Sequence, residues 1–437
     1  MQAGFSRVPI TPPAGTPMIG FARRDRAGGC TGVHDPLYAS LVYLSHAGAE
    51  VLIGSFDLCF LARDDTERLK TAIGRAVGLQ AHEVLLASTH THAGPATGTW
   101  AYAEDLPPRD AYLAELETAT VRAATEAKTT ARDATLWAAR GRTTVPMSRR
   151  RKGPDGKVTF GPSPEGTICD SLPLVMLKDG AGRPITLMFS ISCHPSTAGG
   201  FDVSSDFPGV ARAAIDEHLG AEVSMFVQGA GGDAKVAASA AGTRWKGNDW
   251  NVIDTAGQTL AQEVIGLLET GLAEVEPAVA SALVEVPLGL AEPVSRDAFQ
   301  AIADKNPDDG PTPYEDVRIR WARRLLARLD AGEALPDSVP LRVQGMQLGR
   351  DLRLVAIEGE AVGELGLHIE RQFERGITIP VGYANGQGLY LPVAHMLPEG
   401  SYEVESYWEY GAPAPLAEGA EAAIDRAMPT LREQGIR

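Results

Sequence analysis

The chain has 437 residues, of which 44% are hydrophobic and 22% are charged, values typical of a folded globular protein. Its 40 Lys and Arg residues face 56 Asp and Glu residues, which gives a net charge of −16. The sequence therefore lacks the positive charge with which proteins bind nucleic acids or anionic membrane surfaces. The length allows about three domains or one large α/β domain.

Targeting segments and cysteine pairs are missing from the sequence. Residues 1–15 contain no apolar signal core, and no apolar run is long enough to cross a bilayer. Cys30, Cys59, Cys169 and Cys193 are widely spaced and form no CxxC pair, which argues against a disulfide framework and against a cysteine zinc site. We therefore expect a cytoplasmic protein without stable membrane association.

Short apolar runs and amphipathic stretches alternate along the chain. The predicted strands are Leu37–Leu44, Glu50–Ser55, Glu83–Ala87, Ala134–Arg140, Leu172–Leu177, Ile185–Ser192, Glu222–Val227, Leu341–Leu348, Leu352–Ile357 and Thr378–Tyr383. The predicted helices are Thr66–Val77, Ala111–Lys128, Phe207–Leu219, Asp254–Thr270, Pro313–Asp330 and Ala361–Arg375. This interleaving predicts an α/β fold with at least one large mixed sheet and helices on its outer faces.

Two segments rich in Gly, Pro and charged residues interrupt this pattern. Arg149–Gly166 is predicted to be an exposed loop or hairpin. Asp304–Pro313 has a similar composition and is a candidate subdomain boundary, although both segments are short for a linker.

An apolar strand leads directly into the sequence Thr89-His90-Thr91-His92 and then Ala-Gly-Pro. Side chains two residues apart in a strand point to the same face, so His90 and His92 can converge on one metal ion. Two polar residues at the rim of a sheet would give the same pattern, so this motif alone decides little.

Three further strands end in polar residues. One leads to His194 before a proline, one to Glu358-Gly-Glu360, and one through glycines to Asp233. Ligands collect at strand ends in α/β folds, and several histidines with one carboxylate form a typical catalytic zinc site. The alternatives are a hydrogen-bonded core histidine for His194 and a helix-dipole role for Glu360.

Competing catalytic motifs fit the sequence less well. G-x-S-x-G and H-E-x-x-H are absent, and the glycines before Lys235 lack P-loop spacing. Cys193 is adjacent to His194, but neighbouring strand residues point to opposite faces, which favours a buried structural thiol.

In these stretches the chain resembles the catalytic N-terminal domain of the neutral, non-lysosomal ceramidase family. The matching segments are Ile10-Thr-Pro-Pro, Thr89-His-Thr-His-Ala-Gly-Pro95, Cys193-His-Pro195, Gly232-Asp233, Glu358-Gly-Glu360, and Tyr383-Ala-Asn385 followed by Tyr390. They occur in order over nearly the whole chain, and the THTH segment is the most specific. The resemblance implies mixed β-sheets in layers flanked by α-helices, as one domain over residues 1–437 with no C-terminal immunoglobulin-like domain.

The resemblance also implies a zinc-dependent amidase site. Its metal ligands would be His90, His194, Glu360 and Tyr390, and His92 would lie beside the catalytic water. Substrate-contacting residues would be Arg149, in preference to Arg150, and Tyr407, with Tyr402 as the alternative. Asp57 and Asp233 are expected to hydrogen-bond the ligand imidazoles, although turn or helix capping explains both equally well.

One departure concerns the family's Gly-Asp-Val-Ser-Pro-Asn segment, which reads Gly232-Asp-Ala-Lys235-Val here. The missing serine favours a zinc-activated water as the nucleophile, with His92 as general base and then general acid. Because the chain is acidic and carries no visible signal, we expect a small soluble amide as substrate in place of membrane ceramide. A homo-oligomer is compatible with the sequence.

Two alternative functions stay open at this point. One is a zinc hydrolase that acts on an ester, lactone or glycosidic bond. The other is a noncatalytic binding protein that retains the fold.

Overall fold

Two stacked β-sheets lie between two layers of helices in the computed structural model, which describes residues 1–22, 24, 28–97, 110–305 and 312–437. The strands are β1 (Gln2–Pro9), β2 (Gly32–Val33), β3 (Tyr38–His46), β4 (Ala49–Phe56), β5 (Val84–Ser88), β6 (Arg132–Arg142), β7 (Pro146–Lys152), β8 (Val158–Ser163), β9 (Ser171–Asp179), β10 (Pro184–Ile191), β11 (Asp202–Val203), β12 (Ser224–Gln228), β13 (Ala234–Val236), β14 (Ala240–Ala241), β15 (Arg244–Trp245), β16 (Ala273–Val275), β17 (Pro277–Gly289), β18 (Ser338–Gly349), β19 (Leu352–Ile357), β20 (Glu360–Ala361), β21 (Ile377–Val381) and β22 (Tyr390–Leu391). The helices are α1 (Arg63–Val77), α2 (Asp110–Thr129), α3 (Phe207–Leu219), α4 (Trp250–Thr270), α5 (Arg296–Ala303), α6 (Pro313–Asp330), α7 (Gly363–Arg371), α8 (Tyr402–Glu405) and α9 (Glu421–Glu433).

The larger sheet runs in the order β12-β10-β9-β6-β1-β3-β4-β5, with β16 beside β6, and the smaller one in the order β17-β18-β19-β21. In the larger sheet, β4 pairs with β5 and β10 with β12 in parallel, while the other ladders are antiparallel. In the smaller sheet, β19 and β21 are parallel. Both sheets are therefore mixed.

Alternation along the strands separates the hydrophobic core into layers. Leu41 and Tyr43 of β3 face the cluster shared with α1 to α4, whereas Val42 and Leu44 face the second sheet. Val355 in β19 faces the cluster that contains residues of α7 and α9. The order of layers is thus helices, nine-stranded sheet, four-stranded sheet, helices, and the predicted layered α/β fold is confirmed.

Helices α3, α4, α5 and α6 begin at a residue whose side chain accepts a backbone N–H of the first turn. In α3, the Asp206 side chain accepts the Phe207 N–H, and the left-handed Gly220 ends the helix. In α1, Leu69, Ile73 and Val77 form the buried face at helical spacing. No helix in the described ranges combines the length and apolar character needed to cross a bilayer.

All ten predicted strands and all six predicted helices are present, with boundaries that shift by a few residues. Arg149–Gly166 falls largely within the β7–β8 hairpin, but Arg149 and Arg150 are buried, so the prediction of an exposed segment is wrong for these two side chains. Of the segment Asp304–Pro313, residues 306–311 lie outside the described residues.

A buried lysine gives a test of the packing of α1. Burial lowers the pKa of Lys70 to about 8, and its Nζ has no hydrogen-bond partner among the described residues. Because an unfolded lysine titrates near 10.4, the unfolded chain binds more protons between pH 8 and 10, and this group makes stability rise with pH there. Lys70→Met should therefore add about 3 kcal/mol to the free energy of unfolding at pH 7.

The gain from Lys70→Met should shrink as the pH rises from 8 toward 10, which denaturant titrations at several pH values would measure. Lys157→Met, which alters an exposed lysine, is the matched control and should change little. A loss of stability in Lys70→Met at neutral pH would contradict this account.

Candidate metal centre

The ends of strands from both sheets meet at one place. His90 and His92 follow β5, His194 follows β10, and Glu360 opens β20 after β19. Strand β20 pairs in parallel with β22, which places Glu360 directly opposite Tyr390. The fold therefore brings together the four side chains predicted as metal ligands.

Three imidazole nitrogens and one carboxylate oxygen converge at the centre of this place. His90 Nε2 lies 3.1 Å from His194 Nε2 and 3.1 Å from His92 Nε2. Glu360 Oε2 lies 3.3 Å from the Nε2 atoms of both His90 and His194. The hydroxyl of Tyr390 lies slightly farther out, 3.4 Å from His194 Nε2. His90, His194 and Glu360 are buried, whereas His92 is partly exposed.

The other ring nitrogens fix the tautomer of two histidines. His90 Nδ1 lies 2.8 Å from the Cys59 carbonyl, and His194 Nδ1 lies 2.6 Å from the Gly231 carbonyl. A carbonyl oxygen only accepts, so each Nδ1 must carry a proton, and in the neutral tautomer that this leaves the lone pair of Nε2 points inward. Backbone carbonyls thus orient both rings toward Glu360.

This arrangement suits a cation. Burial, followed by the charge of Arg149, lowers the pKa of His194 to about 3, so the ring is neutral at pH 7. Glu360 Oε2 has no hydrogen-bond donor among the described residues although it is buried. Facing lone pairs and an unpaired carboxylate oxygen repel one another unless a positive ion lies between them. Two histidines, one carboxylate and a nearby tyrosine fit a single Zn²⁺.

A second group that could hold a metal consists of Cys59, His90 and His92. Burial, followed by the charge of Glu360, raises the pKa of the Cys59 thiol well above its usual range. A metal binds the thiolate and not the thiol, so this group is the weaker candidate. The set of His90, His194 and Glu360 includes a carboxylate that can neutralise part of the ion's charge.

Tyrosines surround the carboxylate of Glu360. The Tyr410 hydroxyl donates to Glu360 Oε1 at 2.5 Å, a contact that the sequence did not indicate. The predicted Tyr407 is half-buried and packs toward Trp321, with ring centroids 6.1 Å apart. Its alternative, Tyr402, donates to Glu409 and lies 5.3 Å from the Tyr390 ring. Among these three, Tyr410 is the residue that reaches a candidate ligand.

The ring of Tyr383 stacks on His90, with centroids 4.0 Å apart and an interplanar angle of 23°. Its φ is +55° and that of His90 is +67°, a left-handed conformation that costs non-glycine residues energy. Such strain persists where the surrounding structure imposes it, and here two strained residues lie face to face at the site.

Buried ion pairs hold the predicted arginine. Arg149 Nε donates to Glu403 Oε1 at 2.8 Å, and Arg150 Nη1 donates to Glu403 Oε2 at 2.7 Å. The Arg149 guanidinium lies 5.3 Å from the centre of the Tyr390 ring, and its Nη2 has no hydrogen-bond partner among the described residues. Arg149 is therefore the arginine next to the candidate ligand Tyr390.

The two aspartates expected beside the imidazoles occupy other positions. Asp57 accepts from the Tyr38 N–H at 2.9 Å and from Arg212 at 2.6 Å, and both bonds lie away from the histidines. Asp233 accepts the Gly363 N–H at 2.7 Å, at the start of α7, and burial raises its pKa to about 6. The backbone carbonyls of Cys59 and Gly231, and not the two aspartates, accept from the Nδ1 atoms of His90 and His194.

The backbone of Lys235, a residue that the sequence did not assign to the site, forms an isolated bridge with His194. Lys235 Nζ donates to Ser196 Oγ at 2.6 Å, and burial followed by the charge of Arg149 lowers its pKa to about 8. It was visible in the sequence only as a departure from the family pattern. Tyr383 belongs to the Tyr383-Ala-Asn385 segment of the resemblance but was given no role there, and no local motif marks Tyr410 or Glu403.

The fold is shared with solved ceramidase structures. Neutral ceramidase from Pseudomonas aeruginosa aligns with 98% of this chain and 73% of its own chain, at a TM-score of 0.73 and 17% identity. A ceramidase complexed with C2 aligns with 100% of this chain and 76% of its own, at a TM-score of 0.74 and 16% identity. No family model matches the sequence, and no curated protein matches it significantly. The chain thus has the neutral-ceramidase fold that the resemblance implied.

Proposed function

We propose that this protein is a zinc-dependent hydrolase that cleaves the amide bond of a small N-acyl substrate. The observation that supports this most strongly is the convergence of His90, His194 and Glu360, with lone pairs turned inward by backbone carbonyls. The structural similarity to two ceramidases supports an amide as the bond that is cleaved. Cytoplasmic location stays a prediction from the sequence.

The proposed metal site would consist of His90, His194, Glu360 and Tyr390. When bound there, Zn²⁺ supplies Lewis-acid chemistry, which polarises a carbonyl and acidifies water. The Tyr410 hydroxyl fixes one oxygen of Glu360, so the other oxygen stays directed at the histidines. Tyr407 and Tyr402, the tyrosines predicted to contact substrate, stay predictions.

His92 is the proposed proton carrier. Burial, followed by the neighbouring His90, lowers its pKa well below the usual range, so the ring is neutral at pH 7 and one ring nitrogen carries no proton. Its partial exposure lets water reach it. His92 would take one proton from the attacking water and deliver it to the leaving nitrogen, while the carbon–oxygen bond forms and the carbon–nitrogen bond breaks. Arg149 would stabilise negative charge that develops on the substrate oxygen.

A substrate panel tests the proposal. Purified protein should hydrolyse short N-acyl amides, and a chelator should abolish this activity until zinc is restored. Matched esters with the same acyl groups distinguish amide from ester specificity. If only the esters are cleaved, and a chelator stops that cleavage, the protein is a metal-dependent esterase and the proposed amide specificity is wrong. Amide cleavage that continues in the presence of the chelator would refute the role of the metal.

Gly20 provides a test of the position of His92. A Cβ added at Gly20 would lie 2.8 Å from both the Cα and the Cβ of His92, and the φ of +108° disfavours any other residue. Gly20→Ala should therefore displace His92 and lower turnover by about 100-fold, the usual consequence of a misplacement near 1 Å.

The metal content of Gly20→Ala should stay at the wild-type level, since His90 and His194 are untouched. Gly48→Ala is the matched control, because Gly48 also has a positive φ but an added Cβ there meets nothing within 4 Å. Unchanged turnover in Gly20→Ala would show that the position of His92 does not matter.

A further inference from the structure

Lys235 is a buried cation without a carboxylate partner. It is 8% exposed, and its Nζ contacts the hydroxyl and the carbonyl of Ser196, at 2.6 and 3.4 Å. No Asp or Glu oxygen of the described residues lies within ion-pair distance of it. The charge of the buried Asp206 acts on Lys235 from farther away, and that carboxylate accepts the N–H groups of Thr197, Ala198 and Phe207. Buried charges in proteins are normally paired, because leaving one unpaired costs several kcal/mol. An unpaired ammonium therefore suggests a partner that arrives with the substrate.

The backbone ties Lys235 to the metal ligands. His194 N–H donates to the Ala234 carbonyl at 3.0 Å, and an isolated bridge joins His194 to Lys235. Ser196, which holds the ammonium, follows Pro195, whose carbonyl accepts the His92 N–H at 3.0 Å. The ammonium is thus anchored to the same short segment that positions His92 and His194.

Arg149 adds a second partly unpaired cation. Strand β13 pairs with β7 so that Lys235 lies opposite Met147, two residues from Arg149. Glu403 binds Arg149 through Nε and is shared with Arg150, which leaves the buried Nη2 of Arg149 without a partner among the described residues. Arg150 also binds Glu399, at 3.1 Å, so two carboxylates face the three cations Arg149, Arg150 and Lys235, and one positive charge is left over.

We infer that the substrate of this site carries a carboxylate, as an N-acyl amino acid does, and that Lys235 is the residue that selects it. The inference rests on the proposed amide hydrolysis and names the substrate class. The carboxylate would accept from the Lys235 ammonium, with Arg149 as the second cation. A neutral N-acyl amine of the same size would leave both cations unpaired and would bind more weakly.

Two compounds that differ in one group test this inference: N-octanoyl-phenylalanine and N-octanoyl-phenylalaninol, in which a hydroxymethyl group replaces the carboxylate. The wild-type protein should prefer the carboxylate in kcat/KM by at least about tenfold, since truncating one partner of a buried charge pair commonly costs that much or more. In Lys235→Met the ratio of the two constants should fall toward one. Lys235→Arg should restore part of the preference, and Lys157→Met, an exposed lysine, should leave the ratio unchanged.

Calorimetry with the same two compounds separates the two proposals. If neither compound is hydrolysed, the proposed function fails, and the ratio of affinities still decides the substrate class. An equal response to both compounds in the wild-type protein overturns the role of Lys235, and that measurement needs no variant to fold. A preference that survives in Lys235→Met overturns it as well.

Discussion

His194→Ala is expected to remove the metal and, with it, amide hydrolysis. The residue is buried, and its Nε2 lies within 3.1 to 3.4 Å of His90, Glu360 and Tyr390. Loss of even an indirect partner of a metal ligand costs roughly 10- to 100-fold in metal affinity, so loss of a ligand should exceed about 100-fold. Metal analysis of the purified variant and its rate with an N-acyl amide provide the two readouts.

The matched control is His218→Ala, which removes an exposed histidine near the end of α3, away from the candidate ligands. It should keep wild-type metal content and rate. Circular dichroism must show that His194→Ala is folded, since a buried imidazole also contributes packing. A folded His194→Ala protein that retains one zinc per chain would refute the proposed ligand set.

His92→Ala should separate proton transfer from metal binding. His92 belongs to the second potential metal group, with Cys59 and His90, and not to the group that contains Glu360. Its loss should lower kcat by about 10²- to 10⁴-fold, the usual contribution of general acid–base catalysis. The zinc content should remain close to one ion per chain.

His92→Gln refines this test, because glutamine retains polarity but cannot carry a proton near neutral pH. Both variants should be slow if proton transfer is the function of His92. If His92→Ala instead loses its zinc together with its activity, then His92 is a metal ligand. Its Nε2, 3.1 Å from His90 Nε2, is close enough to share one ion with His90.

Secondary structure was predictable where the periodicity was strong. The buried strand β10 and the amphipathic α3 lie within a residue or two of their predicted bounds. Strand β17 was missed because it contains Pro277 and Pro287, which usually argue against a strand. It lies at the edge of the smaller sheet, where proline is tolerated.

Some residues of the candidate site could likewise be predicted from the sequence, and others could not. His90, His194 and Glu360 could be found because each follows an apolar strand, and strand ends meet in an α/β fold. Tyr410 could not, since its contact with Glu360 spans 50 residues and depends on how the short turn at Ser406–Tyr410 folds back. The partner of Asp57 could not be predicted either, because Arg212, which binds it, lies 155 residues away along the chain.

The most direct test of the central claim is a zinc titration of metal-free protein followed by the rate of N-acyl amide hydrolysis. We expect no activity before zinc is added, a rise in proportion to zinc, and a plateau at one ion per chain. Amide hydrolysis that is complete without metal, or none at any zinc concentration in a folded protein, would contradict it.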